Sequence, residues 1–245
     1  MKDSSMPFWD HVAELRSRLL VATVAVVAGT ITSFFFVEPA AAFITRPVGN
    51  MQFIYLSPPE LFTSYVKIAL IGGLVIASPV ILFELWLFVR PGLSKQERFS
   101  LVIGLFFGAL FFAVGAAFSF FVIVPFSLRF FLQYQNEYVR AMFSFSEYVG
   151  FVGSMVLSFG AAFELPIVVS LLAGLGIVTG TGLAKVRGIS ILLIFIAAAI
   201  LTPPDVVSQI LLGVPLMLLF ELSIILAKGQ EKRRARQAKL EESDQ

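Results

Sequence analysis

The sequence predicts an all-α, polytopic integral membrane protein, and three observations carry that reading. Of the 245 residues 58% are hydrophobic, only 14% are charged, and Phe alone contributes 27. A soluble domain is about 45–50% apolar and about 25% charged, so this surface belongs in lipid. The apolar residues also gather into six runs separated by charged loops, and Lys and Arg concentrate in alternate loops. With no cysteine and the single histidine His11, disulfides, iron–sulfur clusters and Cys/His zinc sites are excluded. No metal or other cofactor is expected.

The six runs cover 19–37, 68–89, 99–125, 149–177, 188–201 and 210–227. The third and fourth exceed the ~20 residues needed to cross a bilayer and are expected to tilt or project. The fifth, from Gly188 to Leu201, reaches only about 21 Å at 1.5 Å per residue, short of a ~30 Å core. Six spans put both termini on one side. That side holds fourteen of the 18 Lys and Arg residues, the other only Arg46, Lys67, Arg129 and Arg140. The excess makes both termini cytoplasmic. The first run is too long for the apolar stretch of a signal peptide, although Ala40-Ala41-Ala42 after it resembles a cleavage site.

Ahead of the first span, Phe8, Val12, Leu15 and Leu19 recur every three or four residues. They predict an amphipathic helix over 6–18 lying on the cytoplasmic membrane surface, or offering a docking surface there. Glu14 and Arg18 form an i, i+4 pair on another face. After the first span, Glu38 to Tyr65 should hold a short helix around Pro39–Thr45, a turn at Arg46-Pro47-Val48-Gly49 and a β-prone stretch from Met51 to Leu56. Phe126–Tyr134, apolar and aromatic, should pack across helix ends. These loops read as a structured periplasmic cap. Residues 1–228 form one six-helix transmembrane domain; the charged tail 229–245 is expected to be disordered or a frayed helix.

One pattern recurs at helix starts. Ser57-Pro58-Pro59-Glu60, Ser94-Lys95-Gln96-Glu97, Ser144-Phe145-Ser146-Glu147 and Thr202-Pro203-Pro204-Asp205 each place a hydroxyl three residues before an acid, ahead of an apolar run. This is the capping box, in which each end satisfies a backbone N–H of the first turn. Glu60, Glu147 and Asp205 therefore read as caps. Glu97 can cap and still accept an arginine.

Glu164 lies in the middle of the fourth span, with Pro166 two positions on. A carboxylate at membrane depth costs roughly 2.5–3.5 kcal/mol on insertion scales and faces protein or a water-filled cavity. Pro166 lacks an N–H and leaves the carbonyl of Ala162 without its helical partner. An acid and a loosened backbone thus sit together near the bilayer centre. No P-loop, dinucleotide motif, Ser/His/Asp site or intramembrane Asp pair is present, so no enzyme is expected.

Four segments together resemble the TatC family, the core membrane subunit of the twin-arginine protein translocase. His11-Val12-Ala13-Glu14-Leu15-Arg16-Ser17-Arg18-Leu19 is similar to the family's HLxELRxRL. Ser78-Pro79-Val80-Ile81-Leu82-Phe83, Trp86-Leu87-Phe88, Pro91-Gly92-Leu93 and Glu97-Arg98 match its second span and the loop after it. Phe159-Gly160-Ala161-Ala162-Phe163-Glu164-Leu165-Pro166 is like FGxxFExP, and Leu201-Thr202-Pro203-Pro204-Asp205-Val206-Val207-Ser208-Gln209 is close to LTPPDxxSQ.

The resemblance implies six spans around a concave face. It also implies a multi-pass protein of the bacterial inner membrane that binds twin-arginine signal peptides of folded precursors and recruits single-span TatA/TatB-type subunits for export driven by the proton-motive force. Self-association in that complex is implied, and no nucleic-acid partner is. By the same resemblance Glu97 accepts the arginine pair, with Glu14, Arg16 and Phe88 shaping the site. Glu164 with Pro166 forms the intramembrane polar site, Thr202 and Gln209 contact the partner subunits, and Pro47 serves translocation from the first periplasmic loop.

Two positions depart from the family. Glu84 stands where members often carry Gln, and reads either as a second anion near the peptide site or as the partner of a cytoplasmic arginine, Arg90 being the nearest in sequence. Ala199 replaces a larger residue. Glu221 reads as the partner of Lys228, seven residues on. Apart from the resemblance, a proton-coupled small-solute transporter using Glu164 and a ligand-free membrane scaffold are the competing readings.

Overall fold

The long apolar runs do become helices, but several join or break where the sequence pattern did not say. The computed structural model describes residues 8–49, 52–89, 97–138, 141–174, 176–201 and 206–243. Among them, five helical stretches are long and apolar enough to cross a membrane: Val12–Phe35, Glu60–Phe88, Phe106–Leu132, Phe145–Gly174 and Val206–Lys232. The sixth apolar helix, Arg187–Leu201, has 15 residues, about 22 Å.

Contacts divide the chain into two units, Met1–Phe43 with Phe62–Ala109, and Ile44–Leu61 with Leu110–Gln245. The first is built on α1 (Phe8–Phe35) and α3 (Glu60–Val89). The amino-terminal segment is not a separate surface helix. It runs without a break into the first span, because neither Gly nor Pro stands near Arg18 and Leu19 to interrupt the helical ladder; the Thr23 hydroxyl bonds the Leu19 carbonyl at 2.8 Å within the same helix. α1 and α3 meet backbone to backbone. A Cβ on Gly29 would stand 2.7 Å from the carbonyl oxygen of Gly73, and one on Gly73 would stand 2.5 Å from the backbone nitrogen of Thr30. In a bilayer, where apolar side chains gain little by leaving lipid for one another, such close approach supplies the packing energy. Thr30 returns its hydroxyl to the carbonyl of Val26 at 2.8 Å, which satisfies it inside its own helix.

The second unit has the larger core. Tyr148, Val152, Met155, Phe159 and Ala162 line one face of α6 (Phe145–Phe163) at helical spacing, and Leu212, Leu216 and Leu219 do the same on α10 (Val206–Ser243). Phe120, Ile123, Val124 and Leu128 join them. These come from a helix that changes register. α4 (Glu97–Phe118) passes into a π-helical turn, Ser119–Ile123, before α5 (Val124–Leu132) resumes. Pro125 has no N–H for the carbonyl of Phe121, so the turn widens and Val124 donates to Ser119 instead.

The loops of this unit follow the sequence closely. α2 (Val37–Ile44) leads to a 3-10 turn, Arg46–Val48, closed by Gly49 at φ 64°. Strand β1 (Phe53–Ile54) pairs in parallel with β2 (Phe143–Ser144). Phe53 meets Tyr148 in a tilted contact at 4.8 Å and Phe145 edge-on at 5.6 Å, while the Tyr148 hydroxyl donates to the carbonyl of Ile44 at 2.6 Å. Ser144 caps α6, its Oγ accepting from Glu147 N at 3.4 Å. The second expected cap works differently. Glu60 accepts the Leu56 N–H at 2.5 Å and the Ser144 hydroxyl, so its carboxylate binds both loops rather than serving only its own helix. The boxes at Ser94 and at Thr202 to Asp205 involve residues outside those described, although α4 does begin at Glu97.

Of the two states expected for the carboxyl-terminal tail the structure shows the helical one: α10 continues to Ser243 as one 38-residue helix. Glu, Lys, Arg, Gln and Ala, all strong helix formers, fill the segment after Gln230, and neither Gly nor Pro interrupts it.

Candidate functional site

Two places concentrate buried polar chemistry, one in each unit. In the first, α1 presents Glu14 and Arg18 one turn apart, and α3 brings Glu84 to the same guanidinium. Arg18 Nη2 donates to Glu14 Oε1 at 3.3 Å and Nη1 to Glu84 Oε2 at 3.1 Å. Glu84 is 8% exposed and sits between the buried Leu82 and Trp86. Two carboxylates therefore share one guanidinium. Glu14 Oε2 and Arg18 Nε are both buried without a hydrogen-bond partner. Among the described side chains the cluster carries one negative charge in excess, in a setting that water screens only partly.

The other expected residues of this site are less closely joined. Arg16 is exposed, and with Val12, Leu15, Leu19, Leu20 and Thr23 it lines a shallow hollow of about 310 Å³ on α1. Phe88 is half-buried one turn beyond Glu84 on α3. Glu97 is the first residue of α4; its side chain lies outside those described. Glu84 does pair with an arginine, but with Arg18, 66 residues away in sequence, and Arg90 lies outside the described residues. The i, i+4 pattern revealed Glu14 with Arg18, yet nothing local could show that Arg18 bridges two acids.

In the second unit the fourth span breaks at Glu164. α6 ends at Phe163 and α7 (Leu165–Gly174) begins one residue later. Glu164 N–H turns to the carbonyl of Ala161 at 3.2 Å, a three-residue step. This goes further than the single lost bond that Pro166 predicts. Glu164 is 7% exposed, Pro166 is buried, and both carboxyl oxygens lack a hydrogen-bond partner. The backbone of Phe112 interacts with the carboxyl electrostatically. A buried carboxyl with no side-chain partner among the described residues offers a hydrogen-bonding site to a group from outside the chain.

Gln209 holds the short helix α9 (Arg187–Leu201). Its Nε2 donates to the carbonyl of Phe195 at 2.9 Å. Gly213 leaves room for the Phe195 ring, which a Cβ there would approach to 2.8 Å. Thr202 lies outside the described residues, and Pro47 is half-buried in the 3-10 turn. At the other end of α9, Arg187 meets Glu221 at 2.6 Å. Glu221 thus pairs across helices and not with Lys228, which lies two full turns along α10, about 10 Å by helical rise. No group of three His, Cys, Asp or Glu gathers as a metal site among the described residues.

Comparison with known proteins places this geometry. Residues 10–215 match the family described as Sec-independent protein translocase protein (TatC). The chain is 37% identical to the TatC protein of Desulforapulum autotrophicum over 99% of its own length and 93% of that protein's. It is 39% identical to the TatC of Helicobacter pylori strain 26695, over 89% and 86% of the two chains. A crystal structure of the twin arginine translocase receptor TatC superposes with a TM-score of 0.84 at 35% identity, covering 90% of this chain and 99% of that one.

Proposed function

The chain belongs to the TatC family, and from that membership and the geometry above we propose that Glu97, with Glu14, Arg16 and Phe88, receives the twin-arginine motif of signal peptides. The protein is a multi-pass component of the bacterial inner membrane and the receptor and core subunit of the twin-arginine translocase, not an enzyme. Membership sets aside the solute-transporter and scaffold readings.

The observation that carries the site is the acid excess at Glu14, Arg18 and Glu84. A guanidinium bonds a carboxylate through charge-assisted, often bidentate contacts, which an ammonium cannot reproduce. Glu97 supplies a further carboxylate at the start of α4. Glu97→Gln keeps a polar group at the helix start but removes the charge. A charge-assisted bond is worth about 1.5–3 kcal/mol, so binding of a synthetic twin-arginine signal peptide should weaken roughly ten- to a hundredfold. A Lys-Lys peptide should bind poorly even to the unaltered protein. Equal affinity of Glu97→Gln and the unaltered protein for the twin-arginine peptide overturns this site.

Six spans with both termini cytoplasmic complete the reading, α9 being the short fifth crossing. Support comes from fourteen Lys and Arg on one side against four on the other. The native chain has no cysteine, so Ser243→Cys introduces a single thiol. It should resist a membrane-impermeant label in sealed cells and react after lysis; labelling before lysis breaks the topology. Glu164 and Pro166 then form an intramembrane site for a polar group of a single-span TatA/TatB-type subunit. Gln209, in the first turn of α10, and Thr202 would contact such a subunit, and Pro47 shapes the periplasmic turn. Self-association in the assembled complex belongs to the same reading.

A further inference from the structure

We propose that Glu84 sets the affinity of the receptor site by fixing its net charge: it holds Arg18 so that Glu14 stays available to an incoming guanidinium. This rests on the peptide-binding reading above. In the free protein Arg18 divides its two terminal nitrogens between Glu14 and Glu84, at 3.3 and 3.1 Å. The more buried and shorter of the two contacts is with Glu84. Glu14 keeps one buried oxygen with no partner.

A guanidinium arriving at Glu14 brings the cluster to two cations and two anions, with Arg18 retained by Glu84. Without Glu84 the cluster would be neutral when empty. Arg18 would then fall to Glu14 alone, and an arriving guanidinium would compete with an internal one already in place. The acid at position 84 thus acts as a positioning residue: it occupies the internal arginine that would otherwise block the site. The two groups come from different helices, α1 and α3.

Charge alone orders four proteins. The excess is one negative charge in the unaltered protein, two in Arg18→Gln, none in Glu84→Gln, and one again in Arg18→Gln/Glu84→Gln. Binding of a fluorescent twin-arginine peptide to each, in membranes and at fixed ionic strength, provides the test. Glu84→Gln should weaken binding about tenfold, the double variant should return to within about threefold of the unaltered protein, and Arg18→Gln should bind more tightly.

A purely structural ion pair gives another pattern, since breaking either half would loosen the site and breaking both would not repair it. Unchanged affinity in Glu84→Gln, or a double variant no better than Glu84→Gln, overturns the proposal. Should Glu84→Gln fail to accumulate in membranes, Arg18→Gln decides alone, tighter binding supporting the proposal and weaker binding overturning it. Glu97→Gln runs beside the series. If it abolishes binding while position 84 has no effect, the receptor reading stands and this inference falls; if it has no effect either, the receptor reading falls as well.

Discussion

Glu84 and Glu164 are almost equally withdrawn from solvent, 8% and 7% exposed, yet the chain treats them in opposite ways. Glu84 lies in an unbroken helix and faces an arginine on the neighbouring one. Glu164 stands at a helix break, with both carboxyl oxygens unpartnered. The pair shows that burial alone does not define an acid's role. A buried carboxylate with an internal cation is already compensated, and can use its charge to control who else binds. A buried carboxyl with no internal partner leaves a vacancy that only another molecule can fill.

The largest effect that can break this comparison lies in transport. Glu164→Ala should reduce export of a folded twin-arginine cargo into sealed vesicles by about tenfold or more, while peptide affinity changes less than about twofold; the first figure is the loss of one charge-assisted or strongly polar contact to a partner. Glu164→Gln refines it. Transport like that of the unaltered protein would mean that a neutral hydrogen-bonding group suffices. Full transport by Glu164→Ala would reduce the residue to a tolerated structural acid.

A smaller effect sharpens the contrast through stability. Glu84→Met removes one of two anions from a part-buried guanidinium and should lower thermal stability of the isolated protein in detergent by about 1–2 kcal/mol, less than for a fully buried pair because Arg18 is partly exposed and keeps Glu14. Glu164→Met removes a polar group that has no partner to lose and should raise stability by about 1 kcal/mol. Melting shifts of the same sign for both variants would erase the distinction.

Much of the fold was legible because it rests on local rules. The 3-10 turn at Arg46–Val48 and the Ser144 cap each follow from residues within a few positions of one another, and the β-prone stretch at Phe53 and Ile54 was legible although its partner strand, Phe143–Ser144, was not. The break at Glu164 was half legible: Pro166 announces a missing bond, but the size of the disruption depends on packing. The unbroken α1 was not legible, because a charged and amphipathic pattern hides a backbone that continues without Gly or Pro into the span. Long-range polar pairs were beyond local rules. Arg18 finds Glu84 across 66 residues, and Arg187 finds Glu221 across 34. In each case a nearer partner in sequence seemed available and the fold supplied a different one.

The π-helical turn at Ser119–Ile123 has a consequence at the level of the gene. A turn of this kind holds one residue more than the α-helical ladder needs. Losing a single codon within it would restore regular winding at little cost in hydrogen bonds. Because the wide turn absorbs that surplus residue, residues 110–118 and 124–132 would keep nearly the same faces after the loss, whereas a deletion in the regular windings on either side would rotate one part of the helix against the other by about 100°. Val124 and Leu128 would still face the core they now share, and only the lining between Ser119 and Ile123 would be reset. A one-codon deletion in this turn should therefore be far better tolerated than the same deletion a few codons to either side.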